Sequence, residues 1–211
     1  IGGNEGGDSI TVSGPFGTLD LGDTSSAADV FDDMTDVSYV AGTSLGAPDA
    51  TIGWTLPTMV DGLTVYVSHA ADAHGNSDAT DPHTGYAVKF AQGPFSIAMG
   101  TNDNEDATSQ TYVGGSYAVA GLKLVVERLE DGASGATTEE QAVGITYTMD
   151  NVKLLMTNEE TKGTDGAVDN DVTFYGVHFD LGGGVTAFVE ASSDDLDETA
   201  DTTAAGIVMA F

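Results

Sequence analysis

The sequence contains no cysteine, and only five of its 211 residues are lysine or arginine. The absence of cysteine fits an exported protein without disulfide bonds. No run approaches the roughly 18 apolar residues of a transmembrane helix, which excludes a helical membrane protein. The chain neither begins with Met nor shows a signal peptide, so we interpret Ile1 as a processed or truncated start.

Acidic residues dominate the charge: 34 aspartates and glutamates give a formal net charge of −29. Such a charge repels nucleic acid and is common where salt screens self-repulsion, as in a halophilic or marine bacterium. Hydrophobic residues make up 40% of the chain, close to an ordinary soluble domain. That proportion does not exclude a membrane β-barrel, because barrel strands carry apolar residues only at alternate positions.

Alternation of apolar and polar side chains is clearest in residues 172–211. A period of two indicates a β-strand whose two faces have different surroundings. One face is apolar and aromatic, and the other carries small, polar or charged groups, which is the repeat of a membrane-spanning barrel. In the first of these strands the apolar set is Thr173, Tyr175, Val177, Phe179 and Leu181, and the other set is Val172, Phe174, Gly176, His178 and Asp180.

About thirteen strand-like segments follow one another, and their connections alternate between short and long. An outer-membrane barrel has this alternation because its periplasmic turns are short and its extracellular loops are long. The sequence therefore predicts an all-β fold, a transmembrane antiparallel β-barrel. The short connections are residues 57–62, 92–94, 120–121, 150–151 and 182–184, and the long ones are 70–83, 101–110, 130–141, 158–171 and 192–202.

Lysines support the same assignment of faces. Lys89, Lys123 and Lys153 all fall opposite the bulky apolar residues, on the face predicted to line water. A lysine facing lipid near the midplane would cost about 2–4 kcal/mol. The alternative is a secreted or surface-attached acidic β-protein of a halophile with an adhesive or structural role. The residues predicted to face lipid or a neighbouring subunit include Val65, Phe90, Ile97, Leu124, Tyr147, Leu154 and Phe179.

Three segments carry a resemblance to a known family. The sequence GTLDLGD at residues 17–23, FYGVHFDLGGG at 174–184 and the terminal Phe211 resemble general bacterial porins of the alphaproteobacterial branch. The resemblance covers essentially the whole chain as one barrel domain, residues 1–211. It implies a sixteen-stranded homotrimer in the bacterial outer membrane, in contact with lipid and lipopolysaccharide, that passes small hydrophilic solutes without catalysis or cofactors.

The resemblance also implies that residues 24–49 form a loop that folds into the lumen and narrows it. Val30, Phe31 and Met34 recur at helical spacing and would anchor this loop on the barrel wall. Carboxylates in a narrow passage attract cations, so we expect a mild cation preference. The acidic constriction would consist of Asp29, Asp32, Asp33 and Asp36, the basic wall of Lys89, Lys123 and Lys153, and Phe211 would lie in the periplasmic aromatic girdle and act in assembly.

Two features depart from the family pattern. Counting back from Phe211, residues 10–13 would be the fourth strand, so three strands of a sixteen-stranded barrel are not accounted for. Thirteen strands cannot close with every neighbour antiparallel, and an open edge inside lipid is costly. We therefore expect the sequence to be incomplete. The arginine cluster that usually faces the acidic loop is also missing.

Other chemical motifs are weaker. GTSLG at residues 42–46 matches a nucleophile elbow but lacks the following helix, so we predict no enzyme. Acidic groups around Asp103 and Asp194 offer oxygen ligands for Ca²⁺, although solvated loop charge is the interpretation we favour. The histidines His69, His74, His83 and His178 lack metal-ligand spacing and are interpreted as ordinary polar positions.

Overall fold

The computed structural model describes residues 9–31, 49–70, 82–104, 109–133, 136–163, 170–195 and 201–210. Alternating apolar and polar side chains and frequent β-branched residues favour extended backbone, and these residues form thirteen strands. No helix long and apolar enough to span a membrane occurs among them. The strands are β1 Ser9–Gly14, β2 Gly17–Ser25, β3 Asp49–Thr55, β4 Leu63–Ala70, β5 His83–Gln92, β6 Phe95–Asn104, β7 Gln110–Val119, β8 Leu122–Ala133, β9 Ala136–Met149, β10 Val152–Gly163, β11 Asn170–Gly182, β12 Val185–Asp194 and β13 Thr202–Met209.

All thirteen strands belong to one antiparallel sheet in sequence order, so each strand pairs with the strand before it and the strand after it. Within the described residues, β1 pairs with β2 alone and β13 pairs with β12 alone. The number of strands and their antiparallel order agree with the prediction from the sequence.

Two-residue turns connect several of the strands at one end of the sheet, which we call the turn side. Ala120 and Gly121 link β7 to β8 with positive φ angles of 49° and 83°. Two consecutive positive φ angles are what a hairpin turn matched to the twist of the strands requires. Asp150 begins the turn between β9 and β10 with a φ of 52°. We call the opposite end of the sheet the loop side.

The two faces of the sheet differ in exposure along each strand. On β8, Lys123 and Glu127 lie on one face, which we call the inner face, whereas Leu124 and Val126 lie on the opposite, outer face. The outer residues are open, with Val126 58% exposed, while Glu127 is fully buried. The outer face carries a broad set of large apolar side chains, including Phe90, Phe95, Ile97, Met99, Val113, Leu124, Val126, Val143, Ile145, Tyr147, Leu154 and Met156.

Strands extend further toward the loop side than the sequence predicted. The predicted long connection at residues 130–141 is wrong, because β8 continues to Ala133 and β9 begins at Ala136. Strand pairing depends on backbone hydrogen bonds, so it continues where the outward side chains become charged. At that level Arg128 contacts Glu130 and Glu139 on the outer face, which ends the apolar band of this hairpin.

Candidate functional site

The segment after β2 turns inward and packs on the inner face. The backbone N–H groups of Asp29 and Val30 donate to the carbonyl of Ser26 at 3.1 and 2.9 Å, closing a helix-like turn. Ala27, Ala28 and Phe31 are buried in one cluster with inner-face residues of β4 to β8. We call this part of the inner face the wall, and its residues in the cluster are Tyr66, Ala87, Ala98, Tyr112 and Leu129. We call residues 26–31 the inward segment.

Polar side chains of the wall hold the backbone of the inward segment. The N–H of Ala27 donates to Ser68 Oγ at 2.9 Å, and the N–H of Ala28 donates to Asn102 Oδ1 at 3.3 Å. The amide nitrogen of Asn102 donates to Ser26 Oγ at 2.9 Å and to Gln110 Oε1 at 3.2 Å. Asn102 is fully buried, so these bonds replace the water that its amide would otherwise bind.

Two wall glycines make room for this contact. A Cβ atom at Gly100 would lie 2.0 Å from the carbonyl oxygen of Ala27, and one at Gly85 would lie 2.6 Å from Ala27 Cβ. Any other residue at Gly100 would push the backbone of the inward segment away from the wall. The wall is therefore shaped to receive this segment closely.

Tyr112 makes the contact at the far end of the inward segment. Its hydroxyl lies 2.9 Å from the carbonyl oxygen of Phe31 and 2.7 Å from Glu127 Oε1, so one hydrogen is shared between two acceptors. Tyr112 and Glu127 are both fully buried. The Lys89 ammonium lies 5.3 Å from the centre of the Phe31 ring, within range of a cation–π interaction. Contacts to its backbone carbonyl and to its ring therefore both fix the position of Phe31.

The structure places the sequence-predicted site residues in different surroundings. Asp29 belongs to the inward segment and is partly exposed, and Lys89 lies beside Phe31. Lys123 and Lys153 lie on the inner face of β8 and β10, near the turn side. Asp32, Asp33, Asp36, the proposed anchor Met34 and the terminal Phe211 lie outside the described residues.

A polar strip follows the inner face near the turn side. Lys123 pairs in register with Thr146, and Lys153 pairs with Thr148 on one side and His178 on the other. Lys153 and His178 both line a concavity of about 420 Å³ that is open to solvent. The strip therefore presents ammonium and hydroxyl groups to whatever fills the space inside the sheet.

His178 has a specific partner that the sequence did not reveal. Its Nε2 lies 2.6 Å from Glu190 Oε1, and both side chains are almost completely buried. The pair faces inward from β11 and β12, with the ring of Phe188 edge-on to the imidazole at 6.2 Å. The pair supplies a polar group to the wall without leaving a buried carboxylate unsatisfied.

Carboxylates occupy the loop-side half of the inner face on β8, β9 and β10. They include Asp131, Glu140 and Glu159. Glu159 lies on the loop side of the apolar band, because the outward residues of β10 are apolar at Leu154 and Met156 but polar from position 158 onward. Partial burial, together with the charge of Glu140, raises the pKa of the Glu159 carboxyl to about 7.

Metal binding finds no support within the described residues, where no group of three or more histidines, cysteines, aspartates or glutamates has a ligating arrangement. Glu105, Asp106 and Asp197, which belong to the acidic groups considered for Ca²⁺, lie outside those residues. The Ca²⁺ hypothesis accordingly stays a hypothesis.

Sequence reasoning missed the wall residues that hold the inward segment. Asn102, Tyr112 and Glu127 are polar residues at inward positions, and the sequence shows that much. The contacts of Asn102 and Tyr112 with the inward segment join residues 74 to 81 positions apart along the chain, so only the folded sheet brings them together. The usable signal was the presence of glycine on the same face, at Gly85 and Gly100, which marks a place where another segment comes close.

Known structures share this fold. Salmonella typhi OmpF, solved in complex with daunomycin, matches with a TM-score of 0.76 and 15% identity over 92% of this chain and 74% of that chain. An anion-selective porin from Comamonas acidovorans matches with a TM-score of 0.69 and 15% identity over 97% and 73%. The trimer form of Vibrio cholerae OmpT matches with a TM-score of 0.67 and 17% identity over 95% and 75%.

Family membership follows from the sequence itself. The family model described as Gram-negative porin matches residues 2–199. A comparison with curated proteins finds no match. The match, the all-antiparallel sheet and the apolar outer face together place the protein in the outer membrane, which replaces the alternative of a secreted protein. The chain belongs to the Gram-negative porin family and has the fold of an outer-membrane diffusion channel.

Proposed function

We propose that the inner face lines a water-filled pore through which small hydrophilic solutes and ions diffuse passively, with a mild preference for cations. The observation that carries the proposal is the inward segment, which packs against a polar inner face while the opposite face remains apolar and open. A segment held on the inner face reduces the free cross-section of a channel. Selection would then follow from width and charge rather than from a binding site.

Cation preference rests on the balance of charge. The chain carries 34 acidic residues against five basic ones, and two of the five, Arg128 and Lys162, face outward next to glutamates. Three lysines therefore remain to oppose the carboxylates of the inner face and of residues 24–49. The fold alone does not decide the sign, since the Comamonas acidovorans porin of the same fold is anion-selective.

Assembly as a homotrimer is the second part of the proposal. Vibrio cholerae OmpT, which shares the fold, forms a trimer. The outer face is broad and apolar, so it suits contact with lipid and with neighbouring copies. We further propose that a closed barrel requires strands that bridge β13 and β1, because an unpaired strand edge in hydrocarbon is costly.

Reversal potentials of single channels under a potassium chloride gradient test the cation preference. The acidic constriction variant changes Asp29, Asp32, Asp33 and Asp36 together to Asn. We expect a cation-side reversal potential in the wild type and a shift toward zero in the variant. A control that changes three outward carboxylates, Glu130, Glu139 and Glu160, to Gln should leave the reversal potential nearly unchanged. An unaltered potential in the acidic variant would show that residues 24–49 do not set selectivity.

A further inference from the structure

Charge on the inner face is separated along the length of the strands. On β8, Lys123 lies next to the turn side and Asp131 near the loop side. Strand β10 repeats this order, with Lys153 next to the turn side and Glu159 toward the loop side, and Glu140 of β9 pairs with Thr161, one inward position beyond Glu159. The remaining inward lysine, Lys89, also lies toward the turn side of its strand.

The same lengthwise order applies to every basic side chain on the described strands. Every inward lysine is in the turn-side half, and the two basic residues of the loop-side half, Arg128 and Lys162, face outward. Four carboxylates in the turn-side half oppose the pattern: Asp20, Asp180, Glu127 of β8, and Asp150, which lines the same concavity as Lys153. Asp20 accepts a hydrogen bond from Thr11 at 2.6 Å, and Asp180 accepts one from the N–H of Gly182 at 2.8 Å. The turn-side half is therefore close to neutral, whereas the loop-side half is strongly negative.

An unequal distribution of fixed charge along a pore makes its conductance depend on voltage polarity. The negative end concentrates cations and excludes anions, and the near-neutral end admits both. When the loop side is electrically positive, cations enter from the end where they are concentrated and anions enter from the other end, so both accumulate in the lumen. The reverse polarity draws both kinds of ion out and depletes it.

We propose that this channel rectifies ionic current and conducts better when the loop side is positive. The inference rests on the proposed function, because it requires an open water-filled lumen. It goes beyond cation preference, because cation preference alone does not make the current depend on the sign of the voltage. The lengthwise order of Lys123 and Asp131 on β8, and of Lys153 and Glu159 on β10, is the feature responsible. Screening should weaken the effect as the salt concentration rises.

Single-channel current–voltage curves of the protein purified from outer membranes test the proposal. In roughly 0.1 M potassium chloride, where charges act over about 10 Å, we expect currents at opposite voltages to differ about twofold. In roughly 1 M salt, where the range falls to about 3 Å, the ratio should approach one. Recording at about pH 8 keeps Glu159 ionised, because its pKa is raised to about 7.

Two double variants separate the lengthwise charge order from total charge. Lys123→Gln with Lys153→Gln removes two inward positive charges from the turn-side half and should reduce the current ratio toward one. Arg128→Gln with Lys162→Gln removes two outward positive charges and should retain the ratio.

The orientation of each channel in the bilayer can be read from a label on the loop side. The chain has no cysteine, so Asp195→Cys at the exposed loop side gives a single attachment point. A polymer maleimide added to one chamber then reports the orientation of each channel.

The outcomes distinguish this inference from the function on which it rests. A protein that inserts but passes no current would overturn both. Conducting channels with symmetric curves in dilute salt would overturn rectification alone. The inference would equally fail if the inward double variant kept the wild-type ratio, or if channels conducted better with the loop side negative.

Discussion

Tyr112 is the residue on which the position of the inward segment depends most directly. Its buried hydroxyl bonds to the Phe31 carbonyl and to Glu127, so Tyr112→Phe would leave two buried acceptors without this donor. The change keeps the ring and removes one oxygen. Removing the donor of a buried hydrogen bond costs about 1–3 kcal/mol, which is a measurable fraction of the energy holding a short segment.

We expect Tyr112→Phe to loosen the inward segment without unfolding the sheet. The amides of Asp29 and Val30, which bond to Ser26, should exchange hydrogen at least about fivefold faster, corresponding to about 1 kcal/mol. Tyr147→Phe on the outer face is the matched control and should leave these amides unchanged. Equal exchange in wild type and Tyr112→Phe would show that the contact does not hold the segment.

Glu159 makes the charge of the inner face sensitive to pH near neutrality. Burial and the neighbouring Glu140 raise its pKa to about 7, so it is mostly ionised above that value and mostly protonated below it. The folded protein thus binds more protons at this site than the unfolded chain between the ordinary glutamate pKa and about 7. Stability contributed by this site is highest at the acidic side of that window and declines as the pH rises through it.

Lowering the pH from about 8 to about 6 should therefore reduce cation preference by neutralising Glu159. Reversal potentials across this range measure the effect, and Glu159→Gln should remove most of the pH-dependent change. Glu160→Gln, which alters the adjacent outward glutamate, is the control and should retain the wild-type titration. A titration that persists in Glu159→Gln would assign it to another group.

At the scale of a strand, consecutive side chains face opposite sides of the sheet and therefore have different surroundings. Lys153 faces inward on β10 and Leu154 faces outward with 46% exposure. We expect Lys153→Cys to react with a small membrane-impermeant thiol reagent and Leu154→Cys to be protected in membranes. The native chain has no cysteine to interfere. Labelling in the opposite order would place water on the outer face and contradict the barrel.

Strands were predictable from sequence in number, order and facing, because period-two patterns are local. Their loop-side ends were not. β9 begins at Ala136 rather than at the predicted position 142, since its first residues are polar and show no apolar alternation. The docking of Ala27 and Phe31 on the wall was also beyond sequence reasoning in detail. It depends on Asn102 and Tyr112, which only the register of β6 and β7 brings beneath the inward segment.

The whole molecule combines an apolar outer face, a polar inner face and a strongly negative charge. The outer face suits lipid and the polar inner face suits a water-filled channel, while the acidic loop side is the basis of the proposed cation preference. The net charge of −29 also means that electrostatic effects should respond strongly to salt. Each of these properties follows from the arrangement of side chains on one sheet.

Single-channel recording in planar bilayers tests the central claim that the inner face lines an ion-conducting pore. Protein purified from outer membranes should produce discrete current steps, with a reversal potential on the cation side that moves toward zero as the salt concentration rises. The inward Lys153→Cys variant should change its step size after modification by a charged thiol reagent, and the outward Leu154→Cys variant should not. Membrane-inserted protein that gives no current steps, or a response confined to Leu154→Cys, would contradict the account.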